Sequence, residues 1–211
     1  MIYRLSALWL ALLPFAVGCG LPPGPSATTP PGTSSGTSTA TLHADVTDPA
    51  GDVLKDSRVP VPPDLIRATA DISDMNVTFS IQFAPGTLDR RSTRVSVLLD
   101  TDLYASSGIR VSDGIGADYG LDLDTSRSLA TVTRADPSGC AAQHSCFIPV
   151  GATASIAFTT DRMQVTVPLS SLGSSDGRMA FEMHAYVLVD PTTPVVFDLM
   201  PDASQPPGRI Q

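Results

Sequence analysis

Polar and apolar residues alternate with a period of two along most of this chain. In "NVTFSIQF" (76–83), Val77, Phe79, Ile81 and Phe83 share one face, and Asn, Thr, Ser and Gln share the other. Successive side chains of a strand point to opposite faces, so this spacing predicts a half-buried strand. "RVSVLLD" repeats it with Val95, Val97 and Leu99, and "DYGLDLD" with Tyr119, Leu121 and Leu123. "RMAFEMHAYVLV" carries Met179, Phe181, Met183, Ala185 and Val187 on one side. "TASIAFTTDRMQVTVP" reads as a hairpin, with Ala154, Ile156 and Phe158 facing Met163, Val165 and Val167 across a Thr-Asp turn. With "DLIRATADIS" and "SLATVTR", at least eight short strands are expected, and only "PLSSLG" suggests a helical turn. Short strands separated by turn residues, without helical runs, imply an all-β antiparallel sandwich or barrel.

The pattern is different before residue 42. "MIYRLSALWLALLPFAVGC" places Arg4 ahead of an apolar run from Leu5 to Val17, the layout of an export signal. The run contains Pro14 and is shorter than the ~20 residues a membrane-spanning helix needs. Its end, Ala16-Val17-Gly18-Cys19, resembles the bacterial lipobox, in which small residues precede a cysteine that is lipidated and becomes the mature N-terminus. The resemblance implies residues 1–18 as signal peptide and Cys19 as the lipid-bearing residue. The next segment, "GLPPGPSATTPPGTSSGTSTAT", is nearly all Gly, Pro, Ser and Thr, and cannot bury enough apolar surface to offset its ordering entropy. Residues 19–41 therefore read as a tether, with a flexible-coil reach of about 25 Å. Residues 42–211 form the domain. Lipid, spacer and domain together describe an exported protein anchored to a bacterial membrane on its extracytoplasmic side.

The cysteines fit that address. With Cys19 lipidated, Cys140 and Cys146 in "CAAQHSC" are left to pair, and disulfides persist in exported proteins. Metal binding by this pair is the weaker alternative, since His144 is the only other ligand type nearby. The chain is acidic, with 13 basic against 21 acidic residues, a balance that repels nucleic acid. Glu182 is the only glutamate and every other acid is aspartate. Aspartate favours turns and caps, which again points away from helix.

A set of short motifs follows in order along the chain: "DPAGDV", "PDLIRATADISDMNVTFSIQFA", "LLDTD" followed by "SSG", "GIGADYGLDLD", "VPLSSLG" and "DLMPDAS". Over 48–204 this order resembles a bacterial extracytoplasmic β-sandwich module related to DOMON and family 9 carbohydrate-binding type domains. The resemblance implies a two-sheet, jelly-roll-like sandwich. Such modules bind sugars, haem or calcium, or act as accessory modules beside enzymes.

Asp100 and Asp102 end the "RVSVLLD" strand two positions apart, hence on one face. Two carboxylates held that close need a cation, a proton or ample water. Calcium takes six to eight oxygens, largely carboxylates and carbonyls on loops; Asp118, and Asp48 and Asp52 in "DPAGD", are candidates to complete its cage. The alternative is that these aspartates only end strands and shape turns. Catalytic signals are sparse: His43, His144 and His184 lack paired metal spacing, and no His-Glu-x-x-His or phosphate loop occurs. An envelope hydrolase is therefore the third reading. A carbohydrate-binding module is the second, with Tyr104 in the loop after Asp102 as its ligand-binding aromatic. The first reading is a lipid-anchored, noncatalytic, calcium-stabilised binding or accessory module, whose partners are the membrane and a glycan or envelope protein.

Overall fold

The alternating stripes become the strands of one large antiparallel sheet folded over a common core. The computed structural model describes residues 42–112, 114–141, 146–173, 176–190, 193–202 and 204–211. The leader, Cys19, the tether and His144 lie outside the described residues. In chain order the strands are β1 (His43–Thr47), β2 (Leu65–Ser73), β3 (Asn76–Phe83), β4 (Thr93–Asp100), β5 (Ile109–Ser112), β6 (Ile115–Ala117), β7 (Tyr119–Asp124) and β8 (Leu129–Ala135). A short helix, α1 (Pro137–Ala141), precedes β9 (Phe147–Phe158), β10 (Arg162–Pro168), β11 (Met179–Asp190), β12 (Thr193–Met200) and β13 (Gly208–Ile210). "PLSSLG" forms a 3-10 turn over Leu169–Leu172, closed by Gly173 at φ 63°. Among the described residues no helix is long and apolar enough to cross a membrane.

The strands follow the order β1-β2-β3-β10-β9-β8-β7-β4-β11-β12, with β13 also paired to β11, while β5 and β6 form a separate ribbon. β9 links the two halves: Phe147 to Ser155 pair with β8, and Ile156 and Phe158 pair with β10. The predicted hairpin is therefore only the end of a longer strand. At the open ends of the path, β1 lies against β13 and β2 against β12. The sheet nearly closes on itself, and the all-β sandwich reading holds.

The stripes expected to point inward do so. Val77, Phe79, Ile81 and Phe83 are each fully buried, as are Val95, Val97, Leu99, Phe181 and Met183. Antiparallel neighbours in register place these stripes side by side, Phe79 beside Val165 and Ala70, and Phe181 beside Leu99. Folding the two halves together then buries both apolar faces at once, the dominant favourable contribution to the fold.

Candidate functional site

β4 ends on Asp100 in the middle of one half, between β7 and β11. The preceding residue of the strand, Leu99, accepts a backbone hydrogen bond from Asp118 (2.8 Å), which sets the Asp118 carboxylate next to Asp100. Asp102 lies beyond the strand, in a bend rather than on the strand face that its spacing suggested. The loop brings it back: the Tyr104 N–H donates to Asp100 Oδ1 (3.1 Å) and Asp102 Oδ1 (2.9 Å). Ser107 Oγ donates to Asp102 Oδ1 at 3.1 Å, and the Thr101 N–H donates to Asp118 Oδ2 at 3.1 Å. The sharp return uses Leu103 and Gly108 at positive φ, and a side chain at Gly108 would run into the Ala117 carbonyl. One carboxylate oxygen from each of Asp100, Asp102 and Asp118 lies within 4.8 Å of the others. Burial pushes the Asp100 carboxyl up, with Asp102 adding to the rise, and burial also raises Asp118.

Asp48 and Asp52 do not join this group. Their carboxylates gather with Asp198 of β12, again within 4.8 Å. The topology is the reason. Asp48 follows β1, an end strand of the path, and the β1–β2 edge abuts β12 and β13, whereas β4 is an interior strand. A single cage drawing on all five predicted aspartates is thus replaced by two acidic groups. In the second, the buried Asp198 takes the Leu65 N–H on Oδ2 at 2.5 Å and the Leu199 N–H on Oδ1 at 2.9 Å. Asp64, also buried, takes the Gly51 N–H on Oδ2 at 2.9 Å. Both oxygens of Asp48 and Oδ1 of Asp64 are buried with no hydrogen-bond partner. Burial, then the charges of Asp198, Asp202, Asp52 and Asp64, push the Asp48 carboxyl up to about 7. Burial, helped by Asp52 and Asp64, pushes Asp198 to about 6.

The sequence reading missed Asp64 and Asp198. β12 reads "TPVVFDLM"; its proline and the consecutive apolar residues Val195, Val196 and Phe197 hide the period-two signal that marks the other strands.

Tyr104 is well exposed, 66 % of its surface facing solvent. A different surface offers more enclosure: a groove of about 530 Å³ on the outward face of β4, β7, β8, β9 and β11, lined by Ser96, Leu98, Asp122, Thr133, Phe147 and Tyr186 among others. Tyr186 donates its hydroxyl to Asp122 Oδ1 at 2.8 Å. Burial and the Asp122 carboxylate hold the phenol well above its ordinary range. On the same face of β11, His184 Nε2 lies 2.7 Å from Glu182 Oε1, so the single glutamate, which had no partner in sequence, is paired. Cys140 and Cys146 stand as a disulfide pair, Cα atoms 4.2 Å apart.

No protein-family model matches the chain, and no curated protein matches it in sequence.

Proposed function

We propose that this protein is a lipid-anchored, noncatalytic module of the bacterial cell envelope whose β-sandwich is stabilised by calcium and presents a binding surface to a glycan or envelope protein. The observation that carries the reading is the convergence of Asp100, Asp102 and Asp118 within 4.8 Å at the end of β4. Three carboxylates, two of them partly removed from water, repel one another unless a cation or protons intervene. An all-oxygen donor set on a loop suits calcium better than a transition metal, which favours imidazole or thiolate. The loop hydrogen bonds from Tyr104 and Thr101 hold the carboxylates in place.

Thermal melting of the purified protein in chelator and in millimolar calcium tests it. An ion bound only to the fold, at a hundredfold excess over Kd, adds about 2.7 kcal/mol, a rise of several degrees. The double variant Asp100→Asn, Asp102→Asn is expected to lose part of that rise. An unchanged rise in the variant, or equal melting points in wild type, refutes the calcium reading at this end.

The groove favours one second reading, a carbohydrate-binding module. Tyr186 and Phe147 supply aromatic surface, and Asp122, Ser96 and Thr133 supply polar groups, the mixture small-ligand sites use. Retention on a glycan array that Tyr186→Ala abolishes would support it. Retention unaffected by Tyr186→Ala would place the ligand elsewhere, with exposed Tyr104 the next residue to replace.

A further inference from the structure

We propose that Asp48, Asp52 and Asp198 form a second divalent-cation site, separate from the Asp100 group, and that its ion fastens the β1–β2 connection onto β12.

Several independent features converge there. The three carboxylates come from the end of β1, the turn that follows it and the far strand β12, yet they lie within 4.8 Å of one another. Asp48 is only 8 % exposed, and neither of its oxygens meets a hydrogen-bond donor. An unpaired buried carboxylate is costly, because it has lost its hydration without gaining donors. Asp64 adds a further orphaned oxygen, and its charge acts on both Asp48 and Asp198. The charges that raise the Asp48, Asp64 and Asp198 carboxyls are those of other aspartates. The Asp100 group differs, since there the loop N–H and hydroxyl groups already meet the carboxylates.

The donor chemistry names the class of ion. Every candidate ligand is an oxygen, and Asp48 has both of its oxygens to offer. Such hard, negatively charged, multidentate sets select calcium over zinc or copper. Asp198 is preset by its two backbone donors, Leu65 and Leu199, which leave the second lone pair of each oxygen for an ion. The Leu54 N–H also donates to the Phe197 carbonyl (2.8 Å), so the same connection already touches β12 at the neighbouring position. An ion here would tie together the two edges where the sheet path fails to close.

The test is calcium titration calorimetry on the purified full chain after chelator treatment, with hydrogen exchange of the 48–64 segment in parallel. Wild type is expected to bind two calcium ions per chain, and calcium is expected to slow exchange across 48–64. Asp48→Asn with Asp198→Asn should bind one ion and lose the slowing. Asp100→Asn with Asp102→Asn should also bind one ion but keep it. Because that first pair lies in the interior, exposed Asp52 supplies a variant that leaves the fold alone: Asp52→Ala should weaken one of the two sites at least tenfold. Binding that is unaltered by Asp52→Ala and by the Asp48/Asp198 pair, or no slowing of exchange in wild type, overturns the proposal. Loss of an ion only with the Asp48/Asp198 pair would support this site and refute the one at Asp100.

Discussion

The Phe79 and Phe181 rings meet edge to face, their centroids 5.7 Å apart and their planes inclined at 77°. One belongs to β3 and the other to β11, strands far apart along the sheet path, so the contact joins the two halves across the core. Both rings are fully buried, and Gly208 of β13 makes room beside Phe181, since a Cβ there would lie 2.5 Å from the ring. Phe79→Ala is expected to cost about 3–5 kcal/mol, from lost burial plus the cavity left behind. Thr78→Ala, one residue away on the outer face, removes only the 2.8 Å hydroxyl contact with Thr166 and should cost about 1 kcal/mol or less. Urea unfolding of the two variants checks this. Equal losses would mean that the halves do not depend on the aromatic contact.

Glu182 should make stability pH-dependent in a defined direction. Burial would raise its carboxyl, but the hydrogen bonds from His184 and Ser112 outweigh it and hold the group below its usual 4.5. A carboxyl lowered in the fold stabilises it once ionised. The contribution is present above the unfolded value and is lost as the pH falls through the folded one. Glu182→Gln should therefore cost about 1–2 kcal/mol near neutral pH, with the gap to wild type closing in acid. A gap of the same size at low pH would show that only packing had been disturbed.

Cys140 and Cys146 should resist alkylation in the native protein until a reductant is added. Their closed loop is short, so removing the bond is expected to cost about 2–3 kcal/mol at most. Because the Asp136 N–H donates to the Cys146 carbonyl at 2.8 Å, the loss should be felt locally, between β8 and β9. Rapid labelling of both thiols without reductant would rule the bond out.

Cys19→Ala should release the protein from membranes or block its processing, as fractionation and electrophoretic mobility would reveal. A variant that fractionates and migrates as wild type does would remove the lipid anchor from the proposed function.

The strand stripes were legible in the sequence because they are local: a period of two needs only neighbouring residues, and burial of one sheet face enforces it. β3 matches its predicted bounds, and Val95, Val97 and Leu99 point inward as their spacing says. The approach of Asp100, Asp102 and Asp118 was also foreseeable, since a strand end, its loop and the entry to the adjacent strand are joined by a short path. Asp102 is returned to Asp100 by the loop hydrogen bonds and not by strand geometry, which its two-residue spacing alone implies. Asp48 and Asp52 could not be placed from sequence. Their partner is set by which strand edge meets β1 and β2 when the sheet curls, and that choice depends on packing between residues far apart in the chain. Asp198 shows the same limit: its chemistry depends on the Leu65 N–H, 133 residues away, and on its own burial in the fold, neither of which leaves a local trace. Tyr186 is the milder case. Its outward position follows from alternation along β11, but the groove around it exists only once β4, β7, β8 and β9 are laid side by side.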